Sequence, residues 1–323
     1  MKKRLINPDY LPGTLWNAVD KCLLLPPSLA DAYRKLIDLH DLTELADSRD
    51  VNNPPVGGLT KEKTDEHFAQ AFDGSIARTQ LALLDPNSDI SHVSDAFVRS
   101  MAGNSLAIID APAGAGAAAL AFLTVIAELR KEKILPREPL DVALISAEIS
   151  EPAREYAQQL LEEVSPALEE QAVFVSASYQ HWDVTDKLSN TDLVQQLNIH
   201  SAQMAESILV IANFNGFLEQ EKKRKEAAPQ IEELFRHASS QKSMAIWIEP
   251  AMNRVTKSGG LFTWLRKQVQ EAWKKFAKEH EADNKEDDTP IVTTNSRFHL
   301  PLKLQDCANV RLAVMAIELS REK

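Results

Sequence analysis

Residues 106–120, LAIIDAPAGAGAAAL, decide the fold of this chain. A short apolar run ends in Asp110, and Pro112 with two closely spaced glycines, Gly114 and Gly116, opens an alanine-rich stretch. This order predicts a β-strand, a tight turn and a helix N-terminus. Glycines in such a turn let backbone N–H groups approach a ligand closely, which is how α/β folds bind nucleotides. The turn has no basic residue, which disfavours a triphosphate as the ligand.

Strand and helix patterns alternate from Ser105 onward, which predicts a mostly parallel sheet with helices on both faces. The predicted strands are LAIID (106–110), DVALISAE (141–148), AVFVSAS (172–178), SILVIANF (207–214) and SMAIWIEP (243–250). The predicted helices cover 117–131, 152–164, part of 192–206, 229–241 and 261–281.

The two ends of the chain depart from this alternation. Two final strands, within 289–302 and 309–320, have no helix between them, so we expect an antiparallel hairpin that turns at 305–308. The first part of the chain has helical spacing over 15–47, broken by Pro26 and Pro27, and again over 64–84. We therefore predict two domains. They are a helical N-terminal lobe (1–103) and a Rossmann-like domain (104–323).

Composition limits the function classes. The chain has 323 residues, 44% of them hydrophobic, which is enough for one large domain with an appended lobe. The net charge of −11 disfavours binding to nucleic acid through phosphates, although Lys222–Lys225 and residues 254–267 offer a local basic rim.

The expected location is the cytoplasm, without a membrane span. No apolar segment typical of a signal peptide follows the basic N-terminus, and Asp110, Pro112 and two glycines interrupt the apolar run 106–126. Cys22 and Cys307 have no spacing typical of a disulfide or a metal site, so we expect separate thiols in a reducing compartment and no metal.

Polar residues follow the predicted strands at the edge where parallel sheets bind ligands. Glu148 ends the second strand, and an ionised carboxylate there accepts hydrogen bonds from two ribose hydroxyls. Asp183, after the third strand, is a candidate acceptor for an adenine amino group. Asn213, after the fourth, is a candidate for orienting a substrate, and Glu249, after the fifth, is a candidate general base.

Each of these residues also has a structural interpretation. A glycine pair occurs where a helix packs tightly on a strand, and Ser150 after Glu148 fits a helix N-cap. Asn and Gly at 213–216 favour a turn. Backbone donors alone satisfy a carboxylate such as that of Glu249. The combination of Glu148 with the glycine-containing turn favours a cofactor site.

The motifs resemble those of class I S-adenosylmethionine-dependent methyltransferases. DAPAGAG (110–116) is similar to their first motif, an acid followed by a glycine-rich turn, and AEISEPAREYA (147–157) is similar to the second. ANFNGF (212–217) and WIEP (247–250) fall where their fourth and fifth strands end. The terminal hairpin is similar to the inverted last strand that separates this fold from NAD-binding Rossmann domains.

The resemblance implies S-adenosylmethionine as the cofactor and an acceptor of unknown identity. The implied cofactor-binding residues are Asp110, Ala111, Gly114, Gly116, Glu148, Ile149, Asp183 and Asn213. Asn213 and Glu249 are the catalytic candidates, and Arg78, Phe214 and Asn215 are the candidates for shaping the acceptor pocket.

Some residues depart from the family pattern. Pro112 stands where the first glycine of the turn is expected, and Asn213-Phe214-Asn215-Gly216 matches only the first residue of the Asp/Asn-Pro-Pro-Tyr signature. Methylation of a nucleobase amino group is therefore not supported.

Two other function classes remain open at this point. The first is a non-enzymatic interaction protein on a degenerate methyltransferase fold, with the N-terminal lobe as the partner surface. The second is an NAD-dependent enzyme, because residues 114–119 satisfy G-x-G-x-x-A. Against it, Glu148 lies well beyond the expected offset of about 20 residues from that turn.

Overall fold

The computed structural model describes residues 4–50, 55, 57–238, 242–251 and 291–319. The predicted helix over 261–281 and the basic residues within 254–267 lie outside these ranges.

The described residues form strands and helices in alternation. The strands are β1 (Trp16–Asn17), β2 (Cys22–Leu23), β3 (Ser105–Asp110), β4 (Leu140–Ala147), β5 (Val173–Gln180), β6 (Glu206–Ala212), β7 (Ser243–Pro250), β8 (Val292–Leu300) and β9 (Lys303–Glu318). The helices are α1 (Pro27–Leu39), α2 (Thr43–Asp47), α3 (Lys61–Leu84), α4 (Ser91–Arg99), α5 (Ala117–Lys131), α6 (Glu151–Glu170), α7 (Lys187–Gln203), α8 (Asn215–Gln220) and α9 (Arg224–Ala238).

All the described strands belong to one sheet, in the order β1-β2-β8-β9-β7-β6-β3-β4-β5. Strands β3 to β7 run parallel to one another, whereas β9 lies antiparallel between β7 and β8. The prediction of a mixed α/β fold with a mostly parallel sheet is therefore confirmed. Apolar side chains of the sheet are buried on both faces, and on one face the core also includes apolar residues of α1, α3 and α5.

The terminal hairpin is present, but its predicted turn is wrong. The turn is formed by Pro301 and Leu302, and residues 305–308 belong to β9. His299 pairs with Cys307 and Arg297 with Asn309. The two strands therefore extend beyond the carboxyl end of β7, where Pro250 pairs with Leu312. We call this projecting part of β8 and β9 the hairpin arm.

The predicted helix over 15–47 is wrong in its first part. Trp16–Asn17 and Cys22–Leu23 form two short antiparallel strands, and the second pairs in parallel with β8. Helix α1 begins only at Pro27, where the fixed φ of proline suits the first helical position and its missing N–H costs nothing.

Helix α3 crosses the carboxyl ends of the central strands. Near its start, the Thr64 hydroxyl lies 3.0 Å from that of Ser150, which follows β4. Near its end, Arg78 Nε donates to Asn213 Oδ1, after β6, at 2.6 Å. Fourteen residues of helix span about 21 Å, and β3 lies between β4 and β6. The N-terminal segment thus places a helix over the edge where β3 turns into α5.

In the described part of the chain, none of the helices combines the length and the apolar character that crossing a bilayer requires.

Candidate functional site

The two glycines of the turn after β3 have different surroundings. Gly114 and Gly116 both have left-handed backbones, with φ of +54° and +79°. A Cβ on Gly116 would lie 3.2 Å from Ala157 Cβ, so this glycine lets α5 and α6 pack closely. A Cβ on Gly114 would meet no heavy atom within 4 Å. Close packing therefore explains Gly116, whereas Gly114 borders open space.

Glu148 lies against this turn. Its Oε2 accepts a hydrogen bond from the Gly114 amide and its Oε1 one from the Ser150 amide, both at 2.9 Å. The residue is 8% exposed. Burial raises the pKa of the Glu148 carboxyl, and the amide donors counter part of that rise. The structure thus brings the acid after β4 and the glycine turn after β3 together, with half-buried Ile149 beside them.

Asp110 and Ala111 lie beneath the turn and are fully buried. Asp110 Oδ2 accepts a hydrogen bond from the Ala119 amide at 3.2 Å, which attaches the first turn of α5 to the end of β3. Its Oδ1 is buried with no hydrogen-bond partner among the described residues. Burial raises the pKa of the Asp110 carboxyl to about 8, and the nearby Glu148 adds to the rise.

The loop after β5 lies next to Glu148. The Trp182 amide donates to the Glu148 carbonyl at 3.3 Å, and the indole, only 2% exposed, donates to Asn190 Oδ1 at 3.1 Å. Asp183 Oδ1 accepts hydrogen bonds from the amide and the hydroxyl of Thr185 at 2.8 and 2.7 Å. Trp182 is therefore part of the core, and Asp183 stabilises its own turn with one carboxylate oxygen.

The residues after β6 meet the N-terminal helix. Asn213, with φ of +56°, receives the hydrogen bond from Arg78, whose Nη2 also donates to the Ser75 hydroxyl at 3.1 Å. Burial lowers the pKa of Arg78 to about 10, and the negative charges of Glu249 and Asp73 limit that fall. The structure brings Arg78 and Asn213 together although they are far apart in sequence.

Glu249 is held by backbone and indole donors. Its Oε1 accepts hydrogen bonds from the amides of Phe214 (3.1 Å) and Asn215 (3.0 Å) and from Trp247 Nε1 (2.7 Å). The residue is 2% exposed, and burial raises the pKa of its carboxyl to about 6, although these donors and Arg78 act against the rise. Phe214 and Asn215 are themselves buried, and Asn215 Oδ1 accepts from Arg224 at 2.9 Å.

Helix α3 carries two further titratable residues, His67 and Asp73, that the sequence motifs did not indicate. Arg49 forms an ion pair of 2.5 Å with buried Asp73. Burial and the charge of Arg78 lower the pKa of His67 to about 4. His67 and Arg78 are eleven residues apart, which places them on the same face of the helix. This spacing is the feature of the sequence that could have indicated that His67 and Arg78 lie near each other.

Comparisons with known proteins assign no family. No protein-family model matches the chain, and no curated protein does. Among solved structures, a protein from Listeria monocytogenes, described provisionally as a class I S-adenosylmethionine-dependent methyltransferase, is 12% identical. The match covers 92% of this chain and 87% of that chain, with a TM-score of 0.34. A likeness at this level carries no functional argument.

Proposed function

We propose that this chain binds S-adenosylmethionine at the carboxyl edge of the sheet and transfers its methyl group to an acceptor that is not yet identified. One observation carries the proposal. Gly114 borders open space with a left-handed backbone, and its amide donates to Glu148. A glycine turn and an acid from neighbouring strands thus converge at the edge where open α/β sheets bind ligands.

The sheet order supports a methyltransferase over an NAD-dependent enzyme. Strand β9 lies antiparallel between β7 and β8. An inverted strand at this end of the sheet is the feature that separates the methyltransferase fold from NAD-binding Rossmann domains, as the sequence resemblance implies.

The residues present fit an adenosyl group. The two Glu148 oxygens offer about four lone-pair sites, and the amides of Gly114 and Ser150 take one on each oxygen. The lone pairs that the backbone amides leave free suit ribose hydroxyls, which donate to an ionised carboxylate. The open space at Gly114 suits the close approach of a ligand to the backbone. Asp110, enclosed beneath the turn, supports the turn in this proposal rather than touching the ligand.

When bound, S-adenosylmethionine supplies a methyl group on a positively charged sulfur. Transfer is an in-line displacement, so holding an acceptor in line and close is the main task of the protein. Arg78 orients the amide of Asn213, and both are candidates for positioning the acceptor. Glu249 has a pKa of about 6, so its carboxyl is mostly ionised at neutral pH and is the candidate to receive a proton from the acceptor.

Calorimetric titration with S-adenosylmethionine tests this proposal. Glu148→Gln replaces one acceptor oxygen with a donor, and lost hydrogen bonds to a charged group cost about 1.5–3 kcal/mol each, or at least about tenfold in affinity. The matched control is Glu151→Gln, at an exposed position three residues on, which is expected to bind like the wild type.

A second variant separates binding from folding. In Gly114→Ala the new Cβ meets no protein atom, and it enters the space proposed for the ligand. The variant is expected to lose only about 1–2 kcal/mol of stability, because alanine is strained in the left-handed conformation. Gly13→Ala, also at a position with open surroundings, is the control. Absence of binding by folded wild-type protein would overturn the proposal, as would undiminished binding by both site variants.

A further inference from the structure

Three potential metal ligands meet beside the hairpin arm. The Sγ atoms of Cys22 and Cys307 are 3.4 Å apart, and Cys307 Sγ lies 3.6 Å from His299 Nδ1 and 3.8 Å from Nε2. One donor atom from each residue lies within 4.8 Å of the other two. The fold thus brings together two free thiols that lie 285 residues apart in the sequence.

No disulfide joins the two cysteines in this structure. Cys22 lies on β2, where it pairs with Arg297, and Cys307 lies on β9, where it pairs with His299. Strand β8 thus separates the two cysteines. The two Sγ atoms are 3.4 Å apart, well beyond the sulfur–sulfur bond length of about 2.0 Å, so both thiols are free.

The distances between the sulfur and nitrogen donor atoms suit a tetrahedral metal ion. Zinc binds thiolate sulfur at about 2.3 Å and imidazole nitrogen at about 2.0 Å, so two donors of a tetrahedron lie about 3.5–3.8 Å apart. The sulfur–sulfur distance of 3.4 Å and the sulfur–nitrogen distance of 3.6 Å are close to these values.

We propose that Cys22, His299 and Cys307 bind a Zn²⁺ ion, with water as the fourth ligand. Two thiolates and one imidazole form a donor set that zinc prefers over the hard cations Mg²⁺ and Ca²⁺. Cys22 is fully buried, His299 is half-buried and Cys307 is exposed, so the open coordination position faces solvent.

This site is separate from the proposed cofactor site. Phe298 faces α3, where its ring lies 4.0 Å from the position of a Cβ on Gly74. Because side chains alternate along a strand, His299 and its partner Cys307 face the opposite side of the arm. A bound ion would join β2, from the N-terminal segment, to the C-terminal hairpin and so stabilise the sheet edge.

Metal analysis of the purified full-length chain tests the proposal. After equilibration with zinc chloride and dialysis against a weak chelator, the wild type is expected to retain about one zinc ion per chain. Cys22→Ser and His299→Ala are expected to lose it, whereas His92→Ala, at an exposed position on α4, is expected to retain it. A wild type that retains no zinc would overturn the proposal.

Two measurements on the wild type do not depend on the folding of variants. Titration with Co²⁺ is expected to give the visible absorption of a tetrahedral thiolate site, and absence of that absorption would contradict the proposal. Alkylation followed by non-reducing intact mass analysis is expected to show that the exposed Cys307 thiol reacts only after zinc is chelated. A Cys22–Cys307 disulfide in that experiment would overturn the assignment in favour of a redox pair.

Discussion

We expect the buried carboxyl of Asp110 to make the stability of the folded chain depend strongly on pH, because burial raises the pKa of this group. Its pKa is about 8 in the folded chain against a usual value of 3.8, a difference of about 4 units. Because the folded-state pKa is raised, the stability that this group contributes is fully present below pH 3.8 and is lost as the pH rises through about 8. At about 1.4 kcal/mol per unit, the whole window corresponds to about 5–6 kcal/mol.

Asp110→Asn keeps the shape of the neutral side chain and removes the titration. We expect its free energy of unfolding in urea, relative to the wild type, to rise by about 3–4 kcal/mol between pH 5 and pH 8. Asp141→Asn, at an exposed position on β4, is the control and is expected to leave the pH profile unchanged. Parallel profiles for wild type and Asp110→Asn would refute the reasoning, because they would show that the folded chain does not retain this proton.

Three further perturbations follow from buried groups. The free energy of unfolding of Glu249→Gln in urea, relative to the wild type, should rise by about 2 kcal/mol between pH 4 and pH 7, because the raised pKa of about 6 makes ionisation of the wild-type carboxyl costly. A difference that does not change with pH would contradict this. Gly116→Ala should lower the free energy of unfolding, measured by calorimetry, by about 1–3 kcal/mol, because residue 116 has a φ of +79° and the new Cβ would press on Ala157. An unchanged Tm would contradict this. Arg49→Met should lower the free energy of unfolding by about 3–5 kcal/mol, because it leaves the buried carboxylate of Asp73 without its ion-pair partner. Adding Asp73→Asn should restore part of this loss. An Arg49→Met variant as stable as the wild type would count against the ion pair.

Local patterns predicted the central elements well. Strand β7 and helix α5 have the predicted bounds, because a buried strand and a buried helix each show their character in a continuous apolar run. The meeting of Glu148 with the glycine turn was also predictable, since the carboxyl ends of neighbouring parallel strands share one edge.

The errors concern features that long-range pairing decides. The strand Cys22–Leu23 is too short to show a period, and it exists because it pairs with β8. Residues 305–308 include Asp306, a residue common in turns, yet Cys307 and Ala308 pair with β8 and the chain turns earlier, at Pro301 and Leu302.

The cluster of Cys22, His299 and Cys307 depends on the same pairings, and the hydrogen bond from Arg78 to Asn213 depends on where α3 crosses the sheet. Sequence spacing carries no record of these contacts, so only the fold brings the residues together.

The central claim is that the edge around Gly114 and Glu148 binds an adenosyl cofactor with a methyl group to transfer. Calorimetric titration of the wild-type chain with S-adenosylmethionine, and separately with NAD⁺ in the same buffer, tests it most directly. The account predicts saturable one-to-one binding of S-adenosylmethionine and no heat from NAD⁺. Folded protein that binds NAD⁺ instead, or binds neither compound, would contradict it.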